Sequence, residues 1–269
     1  MPNDFVAVPI PVYLNADIHD DVGFSGCPFI GGTEDFRVDD YDIFMPYNWM
    51  MEKIREPVRQ MYNKTEAEMD ELNYHHFYWL TDSAVALDYE GWPVHEEYFS
   101  DDQWETAHEF QKVYLSLRDT KDSRDLEASR VLRKPIDLMK KKVQAELDAD
   151  APVSDMKYVI YSAHDDQITT MWNFLGLDYY WIPYASTATF ELKYSASCLA
   201  NEASDNCFGV SIYANGKPLA FDECTGDLFT LNGCSFPEFL ALMESKWYSG
   251  PSADDLDQAC MENPESPTN

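Results

Sequence analysis

The stretch Tyr158-Val159-Ile160-Tyr161-Ser162-Ala163-His164-Asp165-Asp166 decides how the chain is read. Its first half is aromatic and β-branched, the composition of a buried strand. Gln167 to Leu175, closed by Gly176, reads as a helix with a glycine stop. A strand over 157–163 and a helix over 166–176 put His164 and Asp165 at the carboxyl end of a strand. That is the edge where open α/β sheets bind ligands. The two side chains are complementary tools. A cationic imidazole holds an anion, and a carboxylic acid hands a proton to a leaving group. Asp165 or Asp166 can also cap the helix by accepting its orphan N–H groups.

Downstream, residues 187–194 alternate as a strand, and 208–213 read as another. Asn215-Gly216 predicts a hairpin turn into Pro218-Leu219-Ala220-Phe221, and 237–246 predicts a short helix. Upstream, residues 46 to about 147 are helical in pattern. Leu132, Ile136, Met139, Val143 and Leu147 form an amphipathic stripe, which Pro135 should kink or start. Lys140-Lys141-Lys142 reads as the wet face of that helix and not as an anion site. His75 and His76 are neighbours on a helical pattern, so their rings point apart and do not suggest a two-histidine metal site. Prolines 9 and 11 make 5–13 extended, and 14–45, rich in Asp, Gly and Pro, reads as loop with short elements.

This order predicts an α/β protein: a partial mixed sheet flanked by helices, with a helical inserted domain. Residues 1–45 would be an extended entry segment and loops of the α/β domain, and 46–150 the helical insertion. Residues 151–260 would complete the α/β domain with the His-Asp motif, and 261–269 would be a flexible tail.

Composition narrows the function. The chain carries 49 acidic against 19 basic residues, a net charge of -30, and should repel nucleic acid and anionic membrane. No apolar run of about 18 residues predicts a transmembrane helix. Six cysteines occur without zinc spacing, mostly in the C-terminal third. Local pairing gives Cys198 with Cys207 and Cys224 with Cys234, leaving Cys27 and Cys260 to join the chain ends. Such a set points to an oxidising compartment, as does the glycosylation sequon Asn63-Lys64-Thr65. The prediction is a secreted or lysosomal glycoprotein.

The run Tyr158 to Asp166 resembles the His-Asp signature of the histidine acid phosphatases, the branch of the prostatic and lysosomal acid phosphatases. Further short matches follow the family's order over about residues 8–260. Pro9-Ile10-Pro11-Val12 is similar to a family Pro-Ile-Pro-Val segment, and Cys27-Pro28-Phe29 to its Cys-Pro motif. Pro183-Tyr184-Ala185-Ser186, the strand ending Glu191-Leu192, and Gly233-Cys234 with Pro237-Glu238-Phe239 resemble later segments. Cys260 stands where a late cysteine pairs with the Cys-Pro cysteine.

The resemblance implies cofactor-free and metal-free hydrolysis of a phosphate monoester substrate at acid pH. A nucleophilic histidine would take the phosphoryl group as a phosphohistidine. His164 would help to bind the phosphate, and Asp165 would be the proton donor to the leaving alkoxide. The family's nucleophile lies in an Arg-His-Gly-x-Arg-x-Pro motif near its N-terminus, and this chain contains no Arg-His-Gly. Arg37, Arg55 and Arg118 sit in no matching motif. By resemblance the sequence covers roughly the C-terminal two-thirds of such a protein, a truncated form inactive alone. The alternative expectation is a non-catalytic binding protein on the same scaffold, completed by a partner chain or a homodimer.

Overall fold

Helices dominate the computed structural model, which describes residues 27–38, 41–148, 150–152, 157–221, 223–224 and 233–262. The expected extended segment 5–13, with Pro9 to Val12, and the tail from 263 lie outside the described residues. Within 14–45, where loop was expected, two helices occur: α1 (Pro28–Val38) and α2 (Tyr41–Phe44). Pro28 opens α1, a position where a missing N–H costs nothing because it would be unpaired anyway.

Five helices follow: α3 (Asn48–Met61), α4 (Glu66–Asp70), α5 (Tyr74–Tyr89), α6 (Asp101–Leu117) and α7 (Lys121–Leu147). Their starts are written locally. Thr65, Asn73, Ser100 and Thr120 each accept the N–H of the residue three positions on, satisfying one orphan donor. Helices α2, α3, α5 and α6 pack around an apolar core rich in rings. Phe44, Tyr74, Phe77, Phe110 and Tyr114 are buried with Met50, Ile54 and Val58. Phe44 stacks on Tyr74 and Tyr114 at 4.9 and 5.6 Å between centroids. Pro135 neither starts nor ends α7, which runs on through it. Burial of Leu132, Ile136 and Val143 along the same face holds the helix together where one backbone bond is lost.

After α7 the chain reaches α8 (Asp165–Leu175), stopped by Gly176 in the left-handed conformation at φ 72°. Strands β1 (Ala188–Tyr194) and β2 (Phe208–Ala214) pair antiparallel with Ala188 opposite Ala214, flanking the short α9 (Ala196–Asn201). Asn215 and Gly216, both at positive φ, turn β2 into β3 (Lys217–Leu219), as their dipeptide predicts. Strand β4 (Cys234–Ser235) joins β2 and leads into α10 (Phe236–Lys246), and α11 (Leu256–Cys260) ends the described fold. Trp172, Phe174 and Leu175 of α8 bury against Val210 and Ile212 of β2 and Phe239 and Met243 of α10. The molecule is α/β with a helical region, as expected, but among the described residues its sheet is antiparallel and not mixed.

The segment that decided the reading departs from it. Residues 157–163 run without helix or ladder, and no strand forms there. Tyr158 and Ile160 are 77 % and 74 % exposed, and Val159 is 42 % exposed. The reason is non-local. A strand needs a neighbour to take its N–H and C=O groups, and β-rich composition cannot supply one.

Candidate active site

His164 is the residue before α8, in extended conformation, and its backbone N–H donates to Gln167 Oε1 at 2.8 Å. That bond sets the first turn, so His164 stays exposed at the helix mouth while Asp165 is half-buried. Asp166 accepts from the Gln167 N–H at 2.7 Å, one of the capping roles expected of this pair. Burial, helped by the Asp166 charge, raises the Asp165 pKa; the backbone N–H groups at the helix start and Arg118 oppose this and lose. Asp165 therefore keeps its proton to higher pH than an exposed aspartate, the property a proton donor needs.

Behind this turn lies a buried charged seam that spacing could not reveal. Arg118 ends α6 and Asp119 follows it, and the short link to the Thr120 cap of α7 presses both against α8. Arg118 Nη2 meets Asp166 Oδ2 at 3.2 Å, and its Nε lies 4.0 Å from Asp119 Oδ1. The Thr170 hydroxyl, one turn into α8, donates to Asp119 Oδ2 at 3.1 Å. Glu127 of α7 completes the seam. It is buried, and with Thr170 used on Asp119 neither of its oxygens accepts a hydrogen bond among the described residues. Burial and then the neighbouring Asp119 push the Glu127 pKa well up, and burial also raises Asp119 against the pull of Arg118.

The front of the site is walled by α5 and the loop after α8. The Asp165 charge is felt by Tyr78, Asp82 and Tyr184, each with a pKa raised first by burial. Tyr184 packs on Tyr89 with ring centroids 4.7 Å apart, and Tyr78 stacks on Tyr114 at 4.4 Å. His75 and His76 serve the helix instead. His75 Nε2 accepts from the Trp79 indole N–H at 2.8 Å, and its Nδ1 lies 2.6 Å from the Tyr114 hydroxyl. His76 caps the start of α5 with Asn73.

The structure thus sets His164 and Asp165 at one helix start, as the sequence suggested. Sequence reasoning set Arg118 aside because it sits in no matching motif, and missed Asp119, Glu127 and Asp82. Their one available signal was charged residues at helical positions that face inward, which becomes visible only when the helices pack. The three disulfides are Cys27–Cys260, Cys198–Cys207 and Cys224–Cys234, the expected pairs. Asn63 is exposed at a left-handed turn beside the α4 cap. Among the described residues no helix is long and apolar enough to cross a membrane. Three disulfides fit an extracellular or secreted protein. The chain matches no protein-family model and no curated protein.

Proposed function

We propose that this chain carries the acid half of a histidine acid phosphatase-like site. His164 binds the phosphate as a hydrogen-bond donor, and Asp165 protonates the departing alkoxide of a phosphate monoester. The observation that carries this reading is the half-buried Asp165, its proton held by burial beside the exposed His164. Arg118 is a positioning residue, since it holds Asp166 and with it the first turn of α8. The compartment proposed is acidic and oxidising, a lysosome or an acidic secreted fluid, with glycan on the exposed Asn63.

The attacking group is not supplied here, because the 269 residues hold no Arg-His-Gly. The expected result is that this chain alone hydrolyses a phosphate monoester no faster than buffer. Joined to a segment bearing Arg-His-Gly it should turn over at acid pH and form an acid-labile phosphohistidine. Asp165→Asn should then lower turnover by roughly 10²–10⁴. Turnover of the joined protein that ignores Asp165 would refute the role given to that residue. A second reading is favoured by Tyr158, Val159 and Ile160, which are exposed and in no strand among the described residues. In it the scaffold is non-catalytic, and a partner chain or a second copy pairs with 157–163. A dimer or complex in which these backbone amides gain hydrogen-exchange protection, with no activity in any joined form, would decide for it.

A further inference from the structure

A cavity of about 390 Å³ opens between α7 and α11. It shares no lining residue with the His164–Asp165 site. Its α7 wall is a stripe spaced by four, four and three residues, Arg130, Lys134, Leu138 and Lys141, and Leu256 and Asp257 face it from α11. Arg133 and Asp137 complete the lining, so four cations stand against two carboxylates. This is an anomaly in a chain of net charge -30 with only 19 basic residues. Each carboxylate already has a cation beside it, Lys140 from outside the lining and Arg130 from within it. Asp137 pairs with Lys140 at 3.4 Å, and Asp257 lies 3.9 Å from the buried Arg130. Arg133 donates to the Ala253 carbonyl at 3.0 Å and lies over the Trp247 ring. Lys134 and Lys141 form no ion pair among the described residues. Like charges along one helix face repel, so the stripe raises the energy of α7 unless something offsets it.

We propose that this cavity binds a dianionic phosphoryl group. Lys134 and Lys141 match its two charges, Arg130 forms the buried back wall, and Leu138 and Leu256 receive an apolar substituent. The size suits a small ligand, whose orientation a few placed charges would fix. Lys141 is exposed, as its reading as part of a wet helix face predicts, and from that face it also lines the cavity beside Leu256 and Asp257 of α11.

The test is titration calorimetry of the whole chain at neutral pH and physiological salt, with inorganic phosphate and with non-hydrolysable butylphosphonate. Wild type and His164→Gln should each bind one equivalent in this cavity. Lys134→Gln/Lys141→Gln, both at exposed positions that need not disturb folding, should weaken binding by about 10-fold or more. Lys217→Gln, which removes the same charge from an exposed position on β3 outside the lining, should leave binding unchanged. Tighter binding of butylphosphonate would support an organic ester as the ligand, and equal binding would support free phosphate. The proposal falls if phosphate does not bind, if the double variant binds as wild type does, or if Lys217→Gln loses as much. Loss on His164→Gln alone would place the phosphate at the His164 site and overturn this one.

Discussion

The ring-lined core of α2, α3, α5 and α6 and the charged seam under α8 are held by different physics. The first buries Phe44, Tyr74, Phe77, Phe110 and Tyr114 against one another, and its stability comes from apolar area and ring packing. The second buries Arg118, Asp119 and Glu127, and through Arg118 it holds Asp166. Taking those charges out of water costs more than a lone guanidinium returns, so Asp119 and Glu127 hold their protons to higher pH than exposed carboxyl groups do. The difference teaches where this molecule keeps its adjustable part. The helical core is indifferent to pH, while the seam beside the candidate proton donor responds to it.

The largest expected effects contrast the two regions. Phe110→Ala empties a fully buried ring position and should cost about 3–5 kcal/mol, equally at acid and neutral pH. Arg118→Met leaves Asp119 and Asp166 without this cation and should cost a similar 3–5 kcal/mol at neutral pH. That loss should shrink as pH falls and the buried Asp119, with Glu127 behind it, takes up its proton. Urea unfolding of both variants across pH reads this directly, and parallel pH profiles would erase the distinction between the regions.

A smaller change of opposite sign sharpens the comparison. Glu127 keeps its proton to higher pH in the folded than in the unfolded chain. Between the two pKa values the folded state binds more protons, so stability falls as pH rises through that window. Its share of stability is greatest below the ordinary glutamate pKa, and Asp119, Asp165 and Asp82 act in the same direction. Glu127→Gln should therefore stabilise the protein by about 1–3 kcal/mol at neutral pH and by little at acid pH. The net charge of -30 also favours acid conditions, but salt screens surface repulsion and leaves the buried seam nearly untouched. A Glu127→Gln gain that disappears in high salt would assign the effect to the surface instead.

Local signals carried much of the architecture. Thr65, Asn73, Ser100 and Thr120 mark helix starts by their own side chains, Gly176 marks a stop, and Asn215-Gly216 marks the hairpin. Each works through bonds to residues a few positions away, which a linear reading can see. The cysteine pairs were legible because two are close in sequence and the third is what remains. Pro135 misled because its cost is local, whereas the burial of Leu132, Ile136 and Val143 that outweighs it is not.

The chain by itself determined the helical pattern of 46–147, the helix after His164 and Asp165, the short helix before Lys246, and the Asn215-Gly216 hairpin. Tertiary structure alone decided three things. It left Tyr158, Val159 and Ile160 outside any strand among the described residues, it gathered Arg118, Asp119 and Glu127 behind α8, and it set α11 opposite Lys134 and Lys141 across one cavity. The physical reason is the same in each case. A turn or a cap is an interaction between near neighbours, but a strand partner, a buried counter-charge or a cavity wall comes from distant residues. Only packing brings those into reach.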